Sequence, residues 1–267
     1  EQVAEFVALV DDVIKANGLE DLGVTCGETS NWTRFSQWGY ADAIADDPKA
    51  LAALGLITSH GFYSVSARGM WHSDWRSVGI DTLRALRPDL HAWVTSTSWS
   101  NMDPWFVDEI RHSVYAAKVN AIIPWACIQT PGDWLGGDPN PGTAFRVASD
   151  GFGFTVEPGY YYYKQVSRAG RPGMGVARVR TNDGNVELLA FASNDTGHPD
   201  SFVVINLSDS ALPVDISVIG AGGDRFTVNR TSEAGEQYAD AGLRHVAGGL
   251  LTYEPPPRSV TTFTLAL

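Results

Sequence analysis

The chain has 267 residues, which is enough for one large domain or for two domains of ordinary size. Its formal net charge of -12 at pH 7, from 31 acidic and 19 basic residues, disfavours binding to nucleic acid or to anionic lipid. No apolar run approaches the about 20 residues that a membrane-spanning helix needs. We therefore expect neither a nucleic acid nor a membrane as a partner.

Helical and strand-like segments alternate over the first part of the chain, up to about residue 147. Apolar residues recur at helical spacing from Val3 to Ile14, and Asn17-Gly18 offers a helix stop. Further helical patterns follow at residues 41–54, 79–86 and 104–118. Strand-like runs lie between them at residues 22–26, 56–62, 91–97 and 120–128. This alternation predicts βα units and a parallel sheet.

The rest of the chain has a different pattern, in which short β-branched runs are separated by Gly, Asp, Asn and Pro. The runs lie at residues 175–181, 186–192, 201–207, 214–220, 225–231 and 259–265. Regular strands without a long helix between them predict an antiparallel β-sandwich. We place the boundary beside Ala169, which gives a first domain at residues 1–168 and a second at residues 169–267. The tyrosines at residues 160–163 are expected to pack across this junction.

Four βα units pose a physical problem, because four parallel strands make only half of an eight-stranded barrel and leave two unpaired edges. Two explanations are open. Either the other half of the barrel travels as a separate polypeptide, or the four strands form an unrelated open sheet. In a (β/α) barrel the reactive residues lie where the strands end, since the loops there form the shared cavity.

Tryptophan is concentrated in the first part of the chain. All nine tryptophans lie at or before Trp134, so the predicted sandwich has none. Indole rings in loops after strands are typical platforms for sugar rings, which carry C–H groups on their faces. The distribution therefore favours a carbohydrate ligand and makes the predicted sandwich a structural domain.

Other reactive residue types give weaker signals. His60, His72 and Asp74 match no spacing of metal ligands, so we expect no metal and no cofactor. Cys26 and Cys127 lie in strand-like segments and are predicted to be inert core residues.

Six motifs give the chain a resemblance to a known enzyme family. They are TCGETSNW, SHGFYS, WVTSTSW and IIPWACIQ at the four strand ends, GYYYYKQVSRAGRPG before the sandwich, and PPPRSVTTFTL near the end. Together they resemble the carboxyl-terminal part of glycoside hydrolase family 30, in clan A. The resemblance implies an α/β fold: the second half of a (β/α)8 TIM barrel, strands 5 to 8, followed by an antiparallel β-sandwich. It also implies a hydrolase of carbohydrate metabolism, which we expect to be secreted or extracellular.

The resemblance further implies a retaining mechanism that uses two carboxylates. The acid/base Glu ends strand 4 of the family barrel, which would precede Glu1 and come from a second polypeptide supplying strands 1 to 4. The nucleophile Glu ends strand 7, and its position here is occupied by Ser96. A serine hydroxyl lacks the charge that an oxocarbenium-like transition state needs. An engineered substitution, a natural non-catalytic relative and a misalignment remain open as explanations.

Glu28 is the only glutamate at a strand end. We take it as a backup catalytic candidate, with substrate binding or a surface position as the alternative. The residues expected to bind substrate are His60, Tyr63, Trp125, Trp32, Trp99 and Trp134. For Trp125 the resemblance implies the floor beneath the sugar at the cleavage point; the alternative for each aromatic residue is a core position.

The predicted function is thus a retaining β-glycoside hydrolase that acts on an oligosaccharide or glycoside. The alternative is a non-catalytic carbohydrate-binding pseudoenzyme that kept the cleft and lost the carboxylate.

Overall fold

The computed structural model describes residues 1–62, 76–130 and 142–266, and the chain forms two compact units. The first unit comprises Glu1–Ser98 and His112–Trp125, and the second comprises Trp99–Arg111 and Ala126–Leu267. By compactness, residues 126–168 therefore group with the second unit. The domain boundary between residues 168 and 169 stays a prediction.

The first unit is built on a parallel sheet covered by helices. Its strands are β1 (Val24–Thr29), β2 (Leu54–Ser59), β3 (Ala92–Thr97) and β4 (Ala121–Pro124). They pair in the order β1-β2-β3-β4, and every pair is parallel. The helices are α1 (Gln2–Ala16), α2 (Trp32–Gln37), α3 (Tyr40–Ala45), α4 (Pro48–Ala53), α5 (Val78–Leu86) and α6 (Pro104–Tyr115), the last of which is divided between the units. The predicted parallel sheet is confirmed.

Local capping explains where the helices differ from the sequence pattern. The single helix predicted over residues 41–54 is two helices, because Asp47 caps a new start at Pro48 through the amides of Lys49 and Ala50. Helix α2 was not predicted. Its cap is Asn31, whose side-chain oxygen accepts from the Arg34 amide at 2.9 Å.

One face of the parallel sheet carries the core of the first unit. Val24, Cys26, Ile57, Ala92 and Val94 are buried there in one cluster with apolar residues of the helices. Because side chains alternate along a strand, the residues between them point to the other face. That face holds the polar residues described below.

The second unit is mainly antiparallel. It contains β5 (Ile128–Gln129), β6 (Phe145–Val147), β7 (Phe154–Val156), α7 (Pro158–Ala169), β8 (Gly175–Val176), β9 (Val186–Ala192), β10 (Ser201–Asn206), β11 (Val214–Ser217), β12 (Arg225–Ser232), β13 (Ala239–His245), β14 (Leu250–Tyr253) and β15 (Ser259–Leu265). The main sheet has the order β13-β12-β15-β10-β9-β8, and smaller sheets are formed by β11-β14 and by β5-β6-β7. Strands β13 and β14 were not predicted, and the run at 175–181 is a strand only at its start.

Both faces of the six-stranded sheet are covered. On one face an apolar cluster joins it to β11 and β14, and Phe202 and Phe263 stack there with ring centroids 4.6 Å apart. On the other face lies α7, where the buried Gln165 donates to Thr231 Oγ1 at 2.8 Å and accepts from Thr262 Oγ1 at 2.5 Å. The tyrosines at 160–163 therefore belong to a helix that packs on this sheet.

The two cysteines differ from each other. Cys26 is buried as predicted, and burial raises the pKa of its thiol to about 11. The prediction was wrong for Cys127, which is exposed. Within the three described ranges, no helix is both long and apolar enough to cross a membrane.

Candidate active site

The carboxyl ends of β1, β2 and β3 bring together three polar side chains. Thr95 Oγ1 lies 2.8 Å from Glu28 Oε2 and 3.1 Å from Glu28 Oε1, so the hydroxyl donates to the carboxylate. His60 Nε2 lies 3.7 Å from Glu28 Oε2. The Glu28 side chain is 48% exposed and that of His60 is 35% exposed. The group is therefore both organised and open to a ligand.

A β-bulge aims Glu28 at this site. Regular alternation would place Glu28 on the helix-covered face with Val24 and Cys26, but the β1–β2 register shifts between Cys26 and Thr29. Gly27 has φ +123° and Glu28 has φ +31°. Bulges re-aim side chains in this way. The Glu28 side chain therefore reaches across β2 to contact Thr95 on β3.

Gly27 is required at the bulge on two grounds. Its φ lies in a region that L-residues avoid, and an added Cβ would lie 2.2 Å from the Thr58 carbonyl oxygen. The adjoining hydroxyls fix the ends of the two strands, since buried Ser59 donates to the Thr29 carbonyl at 2.9 Å. The His60 amide donates to the same carbonyl at 2.9 Å. These two hydrogen bonds join the backbone beside Glu28 to the backbone of His60.

Ser96, the predicted nucleophile position, follows Thr95 and is half-buried. The β3–β4 register shifts between Val94 and Thr97, so the strand is irregular at this residue. It is the Thr95 hydroxyl that contacts the only strand-end carboxylate of the sequence analysis. Sequence reasoning missed Thr95, although a signal was present: Ala92 and Val94 are the apolar face of β3, which puts Thr95 on the opposite one.

Trp125 comes directly after β4, the fourth strand of the same sheet. Its side chain is partly open, with the residue 42% exposed, and its amide donates to the Thr97 carbonyl at 2.7 Å. It therefore offers a ring surface at the strand ends, as the prediction requires. Tyr63 and Trp134 lie outside the described residues.

Two of the tryptophans expected to bind substrate occupy core positions. Trp32 is 2% exposed and packs in the core of the first unit, with Phe35 edge-on at 6.3 Å between ring centroids. Trp99 is 3% exposed and packs against Phe106 and Tyr163. Both residues therefore occupy the core position that was the alternative for each aromatic residue, and neither ring has an exposed face on which a sugar can stack.

The environment of Glu28 differs from that of three other glutamates of the chain. Glu157, Glu187 and Glu236 each lie within 4 Å of an arginine, namely Arg146, Arg111 and Arg230. Glu28 faces a hydroxyl and an imidazole instead. An arginine partner occupies lone pairs of those three carboxylates and offsets their charge, which the Thr95 hydroxyl does not do for Glu28. Within the ranges that the structure describes, no three His, Cys, Asp or Glu side chains form a cluster that could hold a metal ion.

Comparisons with known proteins agree on one fold. No family model and no curated protein sequence matches the chain. Among solved structures, the catalytic domain of GH30 xylanase C from Talaromyces cellulolyticus superposes with a TM-score of 0.75 at 20% identity, covering 100% of this chain and 57% of that one. A GH30 endoxylanase from Clostridium papyrosolvens gives a TM-score of 0.72 at 20% identity, covering 99% and 61%.

A more distant match comes from another hydrolase family. A family 44 xyloglucanase from Paenibacillus polymyxa has a TM-score of 0.64 at 13% identity, covering 99% of this chain and 60% of that one. The chain thus spans about three fifths of the length of these structures. Because the matches extend over the whole chain, it has the fold of the corresponding part of the family 30 glycoside hydrolases.

Proposed function

We propose that the chain is part of a retaining β-glycoside hydrolase that acts on a β-linked glycan or glycoside. The observation that carries the proposal is the half-exposed Glu28 carboxylate, held beside His60 and Thr95 at the carboxyl edge of the sheet. In barrels of this kind the chemistry takes place at that edge. The solved structures that share the fold include xylanases, which makes a β-linked polysaccharide the first substrate class to test.

We propose further that the first unit is the second half of a (β/α)8 barrel, strands 5 to 8, and that β9 to β15 form the β-sandwich that follows it. The sequential parallel order β1-β2-β3-β4 supports this assignment. So does the sheet face opposite the helices, where Ile123 is 47% exposed. Parallel sheets are normally covered on both faces, so this face is expected to have a cover.

The missing cover is the first half of the barrel, with strands 1 to 4 and the acid/base Glu, supplied by a second polypeptide or by another part of a longer protein. Helix α1 carries a second apolar stripe of Phe6, Leu9 and Val13, all exposed, on the side away from the core of the first unit. A stripe of this kind is suited to packing against further helices of the barrel. A Bacteroides fragilis protein with this fold is described as exported, which supports an extracellular location.

The rival function is a carbohydrate-binding pseudoenzyme. It is favoured by Ser96, which supplies no charge at the position where the resemblance implies the nucleophile. The two functions differ in one variant: with the rest of the barrel supplied, Ser96→Glu should restore hydrolysis of an aryl β-glycoside if the chain belongs to a hydrolase that lacks only its nucleophile. A Ser96→Glu protein that binds oligosaccharide and stays inert would favour the binding function.

The test of the proposed function begins with denaturing mass spectrometry of natively purified protein. We expect a longer chain or an accompanying polypeptide of about 150 to 200 residues, the size of half a barrel. The complete protein is then assayed on aryl β-glycosides and on soluble β-linked polysaccharides. Absence of hydrolysis would overturn the proposal, and oligosaccharide binding without hydrolysis would favour the pseudoenzyme.

The sugar platform is tested with a matched pair of exposed tryptophans. Trp125→Ala is expected to weaken oligosaccharide binding about 10- to 30-fold, because the sugar loses its stacking surface. Trp38→Ala, at an exposed ring beside α3, is the control and should leave binding unchanged. Equal effects of the two substitutions in calorimetry would remove Trp125 from the site.

A further inference from the structure

We infer that Glu28 is the nucleophile of this enzyme: a carboxylate supplied by β1 replaces the one that the family fold carries at the end of β3. This inference rests on the proposed function. It concerns where the reacting carboxylate comes from, and it removes the contradiction raised by Ser96.

The first step of the argument is position. Glu28 belongs to β1, yet both of its carboxylate oxygens lie within 3.1 Å of the hydroxyl of Thr95, the residue before Ser96. Neighbouring strands are about 4.8 Å apart, so a side chain on β1 must lean over β2 to touch β3. The carboxylate therefore lies beside the strand end where the resemblance implies a nucleophile, although its backbone is two strands away.

The second step is that a β-bulge in β1 produces this position. Without the bulge at Gly27, alternation would turn Glu28 into the helix-covered face. The bulge is strained, since Glu28 itself has a positive φ of 31°. Non-glycine residues in such conformations cost about 1 to 3 kcal/mol and persist where the surrounding structure enforces them. The chain thus adopts a costly local conformation at the residue that carries the carboxylate.

The third step concerns the contacts of the two carboxylate oxygens. Oε2 is the more engaged, with Thr95 Oγ1 at 2.8 Å and His60 Nε2 at 3.7 Å. Oε1 has the longer contact with Thr95, at 3.1 Å. Thr95 is thus a positioning residue that fixes the carboxylate through one side. Oε1 is the oxygen that remains available to attack.

The reaction then balances as follows. Glu28 Oε1 forms a bond to the anomeric carbon while the glycosidic C–O bond breaks, and the leaving oxygen takes the bonding pair. Its proton comes from a carboxylic acid on the remaining barrel strands, which this chain does not contain. Water then attacks the same carbon and gives its proton to that carboxylate. The ester bond to Glu28 breaks, and Glu28 leaves as the carboxylate.

The experiment uses the complete protein and the 2,4-dinitrophenyl β-glycosides of xylose and glucose, whose leaving group needs little help from an acid. Glu28→Ala is expected to lower kcat about 1,000-fold or more. Sodium azide should restore turnover and give a glycosyl azide of α configuration, because azide enters from the face that the carboxylate has left. Glu20→Ala, at an exposed glutamate of the first unit, is the control and should keep wild-type kcat.

Each other result overturns the inference in a recognisable way. An azide of β configuration would make Glu28 the acid/base, and an unchanged kcat in Glu28→Ala would remove it from the chemistry. A wild-type protein that hydrolyses no β-glycoside would instead overturn the proposed function, and this inference with it.

A second measurement avoids dependence on the folding of the variants. Wild-type protein treated with a 2,4-dinitrophenyl 2-deoxy-2-fluoro-β-glycoside should carry the sugar on the peptide that contains Glu28, by mass spectrometry. An ester on any other carboxylate contradicts the inference. Thr95→Val should lower kcat about 10- to 100-fold with little change in KM, and Thr95→Ser should recover it, because only the hydroxyl positions the carboxylate.

Discussion

Two glutamates of the protein have opposite environments. Glu28 lies at the carboxyl edge of the first unit's sheet, and Glu236 lies in the β12–β13 hairpin of the second unit. Glu236 is bound through both oxygens by Arg230, with Nε to Oε2 at 2.7 Å, and also accepts from Ser232. Glu28 is held by one hydroxyl and remains half exposed. Glu236 thus uses both carboxylate oxygens in contacts that hold the hairpin, whereas the Glu28 side chain is 48% exposed. The following substitutions test this difference.

The largest effect is expected from Gly27→Ala. The new Cβ would meet the Thr58 carbonyl at 2.2 Å and the backbone would be strained at φ +123°, so the free energy of unfolding of the first unit should fall by about 3 kcal/mol or more. Activity should also fall, because the Glu28 carboxylate would no longer be directed toward Thr95. Gly184→Ala, where an added Cβ meets nothing within 4 Å, is the control. Hydrogen exchange of the β1 and β2 amides separates the two variants, and equal protection would mean that the bulge is not needed.

The second largest effect on stability is expected from Gln165→Leu. Gln165 lies on α7, which covers one face of the six-stranded sheet. Leucine fills the space but removes the side-chain amide that Thr231 and Thr262 contact, and each hydroxyl keeps a backbone partner. The second unit should lose about 1 to 2 kcal/mol of unfolding free energy in calorimetry. Ser167→Ala, on the exposed side of the same helix, should change it little. If the two variants unfold alike, the buried network contributes nothing.

A smaller loss is expected from Glu236→Gln, which weakens the paired carboxylate. An ion pair of this partial exposure contributes about 1 kcal/mol. The denaturation midpoint of the second unit should therefore fall, whereas Glu254→Gln at an exposed position is the control. Glycosidase activity should be unchanged in Glu236→Gln; a loss of activity would contradict a purely structural role.

The smallest effect is a pH dependence. The hydrogen bonds from Arg230, opposed by burial and assisted by Ser232, lower the pKa of Glu236 below its ordinary value of 4.5. Its contribution to stability is complete above that value and is lost as the pH falls through the lowered pKa of the folded state. The stability gap between wild type and Glu236→Gln should therefore narrow as the pH falls below 4.5. A gap that stays constant over this range would show that the pair does not titrate.

Much of the fold could be predicted because burial and sequence pattern agree. Strands β9 and β15 occupy the residues of two predicted runs, where β-branched and aromatic residues fill a buried sheet. Strand β13 was missed because its sequence, ADAGLRH, is polar and contains a glycine. Its pairing with β12, a tertiary contact, makes it a strand.

The candidate site was harder to predict, and the reason is geometric. Strand alternation assigns Glu28 to the wrong face, because one extra residue in β1 reverses the direction of everything after it. The burial of Trp32 and Trp99 could not be predicted from the sequence either, because a tryptophan after a strand can pack inward or line a cleft. Sequence alone placed His60 and Trp125 in the strand-like runs at residues 56–62 and 120–128. The structure ends these strands at Ser59 and Pro124, directly before the two residues.

The difference between the two cysteines makes the protein convenient for labelling. At pH 8 only about one Cys26 thiol in a thousand is ionised when its pKa is about 11, and the residue is also buried. Cys127, the only other cysteine, is exposed and lies two residues after Trp125 in the chain. A maleimide dye would therefore attach at one defined place without any substitution. Its fluorescence would test the proposed binding of oligosaccharide at Trp125, from a position two residues away in the chain.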